Sequence, residues 1–143
     1  MLRRERALLL MTLVVIGMAV VACTGPRAVR ALPPTPVSIA DFKTVAGVWE
    51  GLLQGMPGSA SREDWVMMEI GGDGSYSFAT FRQIGVFHGS GTLQLRDGRL
   101  FLQTAEGGSA TFTLYEGDGR RALRADALTH TGTRLTADLT PKR

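Results

Sequence analysis

The sequence predicts an all-β domain: a small antiparallel up-and-down barrel of about eight strands over residues 38–143, with a two-sheet sandwich of the same strands as the alternative. Three observations predict it. From Gly47 onward apolar and polar residues alternate with a period of two. Turn signals built on glycine recur about every ten residues. No helical 3.6-residue period persists anywhere in that stretch.

The strands follow in order. The first is Gly47 to Gly55, around Trp49, Leu52 and Leu53, and the second is Asp64 to Ile70, with Val66, Met68 and Ile70 on one face. After the Gly71-Gly72-Asp73-Gly74 turn comes Ser75 to Phe81, where Tyr76 and Phe78 alternate with serines. The fourth runs from Gly85 to Arg96, setting Gly91, Leu93 and Leu95 against Thr92, Gln94 and Arg96. Asp97-Gly98 is the clearest turn, because glycine accepts the positive φ that a two-residue hairpin needs. It opens Arg99 to Thr104, with Leu100 and Leu102 inward. Ser109 to Tyr115 presents Ala110, Phe112 and Leu114, and Arg120 to Ala127 presents Leu123 and Ala125. The eighth strand, after His130-Thr131-Gly132, sets Thr133, Leu135, Ala137 and Leu139 against Arg134, Thr136 and Asp138. Each strand must bury one apolar face, and rolling into a barrel does so while removing exposed edges. Residues 38–46, with Ser38 or Asp41 as cap, predict one helical turn across an end of the barrel.

Residues 1–22 have the three parts of an export signal. Arg3, Arg4 and Arg6 form a positive segment, Ala7 to Ala22 are uncharged and mostly apolar, and polar, proline-bearing sequence follows. The apolar run of 16 residues falls short of the roughly 20 that span a bilayer comfortably. Val20-Val21-Ala22-Cys23 resembles a bacterial lipobox, with Val20 where leucine is commonest. That resemblance implies a signal-peptide helix over 1–22, a diacylglyceryl group on the Cys23 thiol, cleavage after Ala22 and N-acylation, commonly by palmitate. An ordinary secretory peptide and an uncleaved anchor are the other readings of the segment. Cys23 is the only cysteine of the chain. Residues 23–37 read as lipidated cysteine and flexible tether, since Pro26, Pro33, Pro34 and Pro36 oppose helix. By the same resemblance, Thr24 in place of aspartate implies the outer membrane, facing the periplasm, in an organism that has one.

Phe42, Gly47 and Trp49, in DFKTVAGVWEG, resemble the opening of a lipocalin or calycin barrel. In that family the tryptophan plugs the closed end and an arginine of the last strand covers it. The resemblance implies Gly47, Trp49 and Arg134 as the closing motif, with Arg124 as second choice for the arginine. It also implies an interior for a small apolar ligand, lined by Trp49, Met68, Phe78, Leu93 and Phe112, with residues 56–63 as its gate. The plainer reading makes Trp49 a core aromatic of a small β-fold.

Composition narrows the function classes. The chain has 143 residues, with 16 Lys+Arg against 13 Asp+Glu. Without residues 1–22 the balance is 13 to 12, leaving almost no field to attract a nucleic acid. One cysteine and two histidines are too few for a zinc-finger type of site, and no loop gathers the carboxylates of a calcium site, so neither metal nor cofactor is expected. His88 and His130 stand 42 residues apart with no nucleophile at a plausible spacing, which argues against an enzyme. The glycine-rich stretches read as turns, and Arg120, Arg121 and Arg124 as a solvated strand face. The second strand is apolar on both faces, so Trp65 and Met67 lie under the neighbouring loop or form a partner patch. Two functions are expected: a lipid-anchored envelope module binding a small apolar ligand, or a filled barrel docking an envelope protein through the Trp65 patch.

Overall fold

The computed structural model of the chain describes residues 32–33, 35–56, 63–81 and 86–143. The signal segment, Cys23, tether residues 24–31 and residues 57–62 of the gate loop lie outside the described residues. Ten strands follow in order: β1 (Thr35–Val37), β2 (Gly47–Gln54), β3 (Glu63–Ile70), β4 (Ser75–Phe81), β5 (Val86–Thr92), β6 (Gln94–Arg96), β7 (Arg99–Gln103), β8 (Ser109–Gly117), β9 (Arg120–Leu128) and β10 (Arg134–Pro141). Nine of them form one antiparallel path, β5-β4-β3-β2-β10-β9-β8-β7-β6, and β1 adds to β8. The long strands at the two ends of the sequence, β2 and β10, are hydrogen-bonded neighbours, as a barrel requires.

The two ends of the path, β5 and β6, are consecutive in the chain and separated only by Leu93. They are the halves of a single bent run. Its first half pairs with β4 and its second with β7, so one strand carries the wall from one side of the barrel to the other. The Leu93 N–H leaves the run and donates to the Gly74 carbonyl at 2.8 Å. Counting this run once, the predicted eight runs are present, and the structure is a nearly closed up-and-down barrel rather than a sandwich. At both Asp97-Gly98 and Asp118-Gly119 the two residues have positive φ, the backbone of the hairpin turn whose twist matches the strands it joins.

One departure concerns the tether. Thr35, Pro36 and Val37, predicted to belong to it, pair with Glu116, Tyr115 and Leu114 of β8. The ladder between β7 and β8 ends at Leu100 and Phe112, which leaves the lower edge of β8 free for a short strand. Pro36 is tolerated there because an edge strand needs no donor on its outer side.

Alternation sorts the wall into two faces. Trp49, Val66, Met68, Ile70, Tyr76, Leu100, Phe112, Leu114, Leu123, Ala137 and Leu139 point inward and join one buried cluster with Ile39 and Val45. Each aliphatic side chain so buried contributes about 1.5–3 kcal/mol over its exposed state. A single core thus fills the lower part of the barrel.

Candidate functional site

The two ends of the barrel are built differently. At one end the chain before β2 crosses underneath. Asp41 caps a single 3-10 turn, Phe42–Thr44, accepting the Thr44 N–H at 2.9 Å and the Thr44 hydroxyl at 3.0 Å. The Ile39 N–H donates to Gly98 O at 2.9 Å, fixing this segment to the β6–β7 turn. Trp49 stands inside, only 2% exposed, and its Nε1–H donates to Val45 O at 2.8 Å. The plug is therefore tied to the segment that covers it.

The arginine over Trp49 is Arg121, with its guanidinium carbon 5.9 Å from the ring centroid. Its Nε donates to Glu116 Oε1 at 2.7 Å and its Nη2 to Thr44 O at 2.7 Å. Arg121 is the second residue of β9 and faces the same side as Leu123 and Ala125, half-buried at the closed end. This corrects the assignment to Arg134. β10 runs antiparallel to β2, so Pro141 pairs with Trp49 while Arg134 opens β10 at the opposite end of the barrel. Arg124 is excluded too. It faces outward, with Nε 3.7 Å from Asp126 and 3.9 Å from Asp138, as the solvated-face reading expects. Gly47 starts β2 opposite Ile70 with φ +133°, at the closed end.

Hydrogen bonds act on two carboxyls at this end, Asp41 and Asp73. The Thr44 N–H and then its hydroxyl hold the Asp41 carboxyl below the usual carboxylate range. The Ser75 hydroxyl and then its N–H do the same for Asp73, which closes the β3–β4 turn at 2.6 and 2.9 Å. Burial pushes the Tyr76 phenol up. The Tyr76 and Phe78 rings are stacked, 6.4 Å apart at 7°, and the Phe78 ring lies where a side chain on Gly89 of β5 would otherwise stand.

The other end gathers the last residues of β2, β4, β7 and β9 and the first of β3, β5, β8 and β10. Here some inward side chains are only partly sealed. Leu53, Phe78, Leu102, Ala125 and Ala127 pack against the core yet remain partly exposed. Ala110, Ala125, Ala127 and Ala137 keep the lining small along β8, β9 and β10. Two polar side chains also point inward at this level, Asp64 at the start of β3 and Thr80 at the end of β4, exposed by 6% and 1%. Sequence reasoning overlooked both, although Asp64 alternates in step with Val66, Met68 and Ile70. Among the described residues the barrel is plugged at the Trp49 end, and at the other end part of its inward apolar lining is only partly buried.

Of the five residues expected to line a ligand space, Trp49, Met68, Leu93 and Phe112 are fully buried core, and only Phe78 reaches the mouth. Trp65 and Met67 face outward, as alternation requires. Trp65 is 43% exposed and pairs with Leu52 on β2 and with Phe81, 49% exposed, on β4. His88 and His130 are exposed on different elements, β5 and the β9–β10 turn. Among the described residues no three His, Cys, Asp or Glu side chains come close enough to hold a metal ion.

The fold is that of a small, nearly closed up-and-down β-barrel. No known protein family matches the chain, and no curated protein does either.

Proposed function

We propose that this chain is a lipid-anchored extracytoplasmic binding module that holds a small apolar molecule in the open end of its barrel. One observation carries the reading. Among the described residues Leu53, Phe78, Leu102, Ala125 and Ala127, on the inner face of the wall away from Trp49, pack on the core yet are only partly buried. Apolar surface that faces the inside of a wall and still meets water is what an apolar ligand covers most favourably. Phe78 supplies a flat face beside Ala125 and Ala127. The role is binding without catalysis, and the residues that hold the guest are wall residues rather than a reactive group.

The anchor is Cys23, acylated on its thiol and on its new amino terminus. Several acyl chains, each CH₂ worth about 0.8 kcal/mol, hold a protein on a bilayer. The resulting address is the cell envelope, on the periplasmic face of the outer membrane in an organism that has one. Native mass spectrometry of the full chain, purified in mild detergent from its own host, tests the binding role. A retained small molecule, released on unfolding and soluble in organic solvent, is the expected result. A bare acylated protein mass would overturn it.

A further inference from the structure

Among the described residues the barrel wall has no ladder along one side of β5, which pairs with β4 alone. The β6–β7 ladder stops at Gln94 and Phe101, and β7 itself ends at Gln103, while β5 extends away from that point as far as Val86. Alternation identifies the backbone groups that remain. The Leu93 N–H points to the β4 side, where it donates to Gly74 O at 2.8 Å. In an antiparallel ladder successive residues turn their backbone groups to opposite sides, so Gly91 and Gly89 also face β4, opposite Tyr76 and Phe78. His88, Ser90 and Thr92 therefore turn their N–H and C=O groups away from β4, toward the side where β7 has ended. All three residues are exposed. The stretch His88-Gly89-Ser90-Gly91-Thr92 carries neither lysine nor proline, two of the devices that keep a foreign strand off an edge.

The inner face of this edge is aromatic. A β-carbon on Gly89 would stand 2.6 Å from Phe78 Cε1, and one on Gly91 would stand 3.1 Å from Tyr76 Cε1. Because these two positions carry no side chains, the Phe78 and Tyr76 rings lean over β5, and Phe78 is only partly buried there.

We propose that this edge of β5 binds an extended peptide segment of a partner protein. The segment adds as an antiparallel strand on His88, Ser90 and Thr92 and turns alternate apolar side chains inward against Phe78 and Tyr76. The barrel already takes a strand in this way: where the β7–β8 ladder ends at Leu100 and Phe112, Thr35–Val37 add antiparallel to β8. The place beside β5 is bounded by β7, which converges on the same run at Gln94 and Phe101, so it suits one chain without flanking strands. A second copy pairing through its own β5 would bring its β4 along, on the side that β7 occupies. Recognition of this kind draws affinity from main-chain hydrogen bonds and specificity from alternate side chains. It depends neither on an acyl anchor nor on an apolar guest.

The test titrates the full chain, in mild detergent, with a capped peptide of about seven residues that alternates valine with threonine and ends in lysines. At saturation, amide exchange at His88, Ser90 and Thr92 is expected to slow about tenfold or more, with little change at Gly89 and Gly91, whose N–H groups already serve β4. N-methylation of the peptide's threonines removes the donors that face β5 and is expected to weaken binding about tenfold or more, whereas N-methylation of its valines, on the other edge, is not. Ser90→Pro removes the central donor without touching the β4 ladder and is expected to weaken binding while the protein stays folded. Should that variant unfold, the two methylated peptides still decide the matter on the unaltered protein. Equal binding of both, or no binding at millimolar peptide, overturns the inference. Protection of His88, Ser90 and Thr92 before peptide is added means that the edge is already covered, by a second copy if the mass is doubled and by the chain's own residues if it is not, and overturns it too.

Discussion

Replacing Gly51 by alanine is expected to lower the melting temperature by about 15–25 °C, the equivalent of roughly 3–5 kcal/mol for a domain of this size. Gly51 sits inside the barrel between Trp49 and Leu53, opposite Leu139 of β10. There β10 crosses so close that a β-carbon would stand 2.0 Å from the Asp138 carbonyl oxygen and 3.1 Å from the Leu139 Cα. Both are backbone atoms, so no side chain can rotate away. Relief requires parting β2 from β10, the joint between the first and last long strands of the wall. Gly72→Ala is the control: a β-carbon there comes no closer than 3.5 Å, to Lys43 Cγ, an ordinary van der Waals contact, and its expected cost is below about 1 kcal/mol. Thermal unfolding followed by circular dichroism reads both. If the two variants melt together, the close approach of β10 to β2 is wrong.

Trp49→Ala is expected to cost about 3–5 kcal/mol as well, by a different route. It empties a buried indole, leaves the Val45 carbonyl without its 2.8 Å donor, and takes away the ring beneath Arg121. The loss is local before it is global. Hydrogen exchange should quicken first in residues 38–46, whose cover over the barrel depends on Trp49 through Val45 and on Arg121 through Thr44. Trp65→Ala removes a residue of the same kind from the outer wall and is expected to change stability by no more than about 0.5 kcal/mol. Equal losses in the two variants, or unchanged exchange in 38–46, would show that Trp49 is not the plug.

The wall was legible in the sequence because its signals are local. Each strand declares its inner face by alternation, and Asp97-Gly98 and Gly117-Asp118-Gly119 declare their turns by residues that accept positive φ. The split of the fourth run into β5 and β6 was not legible. Leu93 keeps the alternation, and only the redirection of its N–H to Gly74 breaks the ladder. β1 was hidden because three residues containing a proline show no period and pair only where β7 has stopped.

The covering arginine was legible but misplaced. In an up-and-down barrel the start of the eighth strand meets the end of the first, so Arg134 could never reach Trp49. The strand end that does reach it is the start of the seventh, at Arg121. Counting strand directions finds this without coordinates. The mouth was half legible. Leu53, Leu102, Ala125 and Ala127 differ from the core residues only in height along the barrel, which depends on register across every strand. The outer patch around Trp65 needed nothing beyond alternation.

The central claim is that the barrel takes an apolar guest at one end only. Methyl-selective NMR of the protein titrated with dodecanol tests it most directly. The methyl signals of Leu53, Leu102, Ala125 and Ala127 are expected to shift, while those of Leu114, Leu123 and Leu139, sealed in the core, stay in place. Shifts confined to Leu52 on the outer wall, or spread through the sealed core, would contradict it.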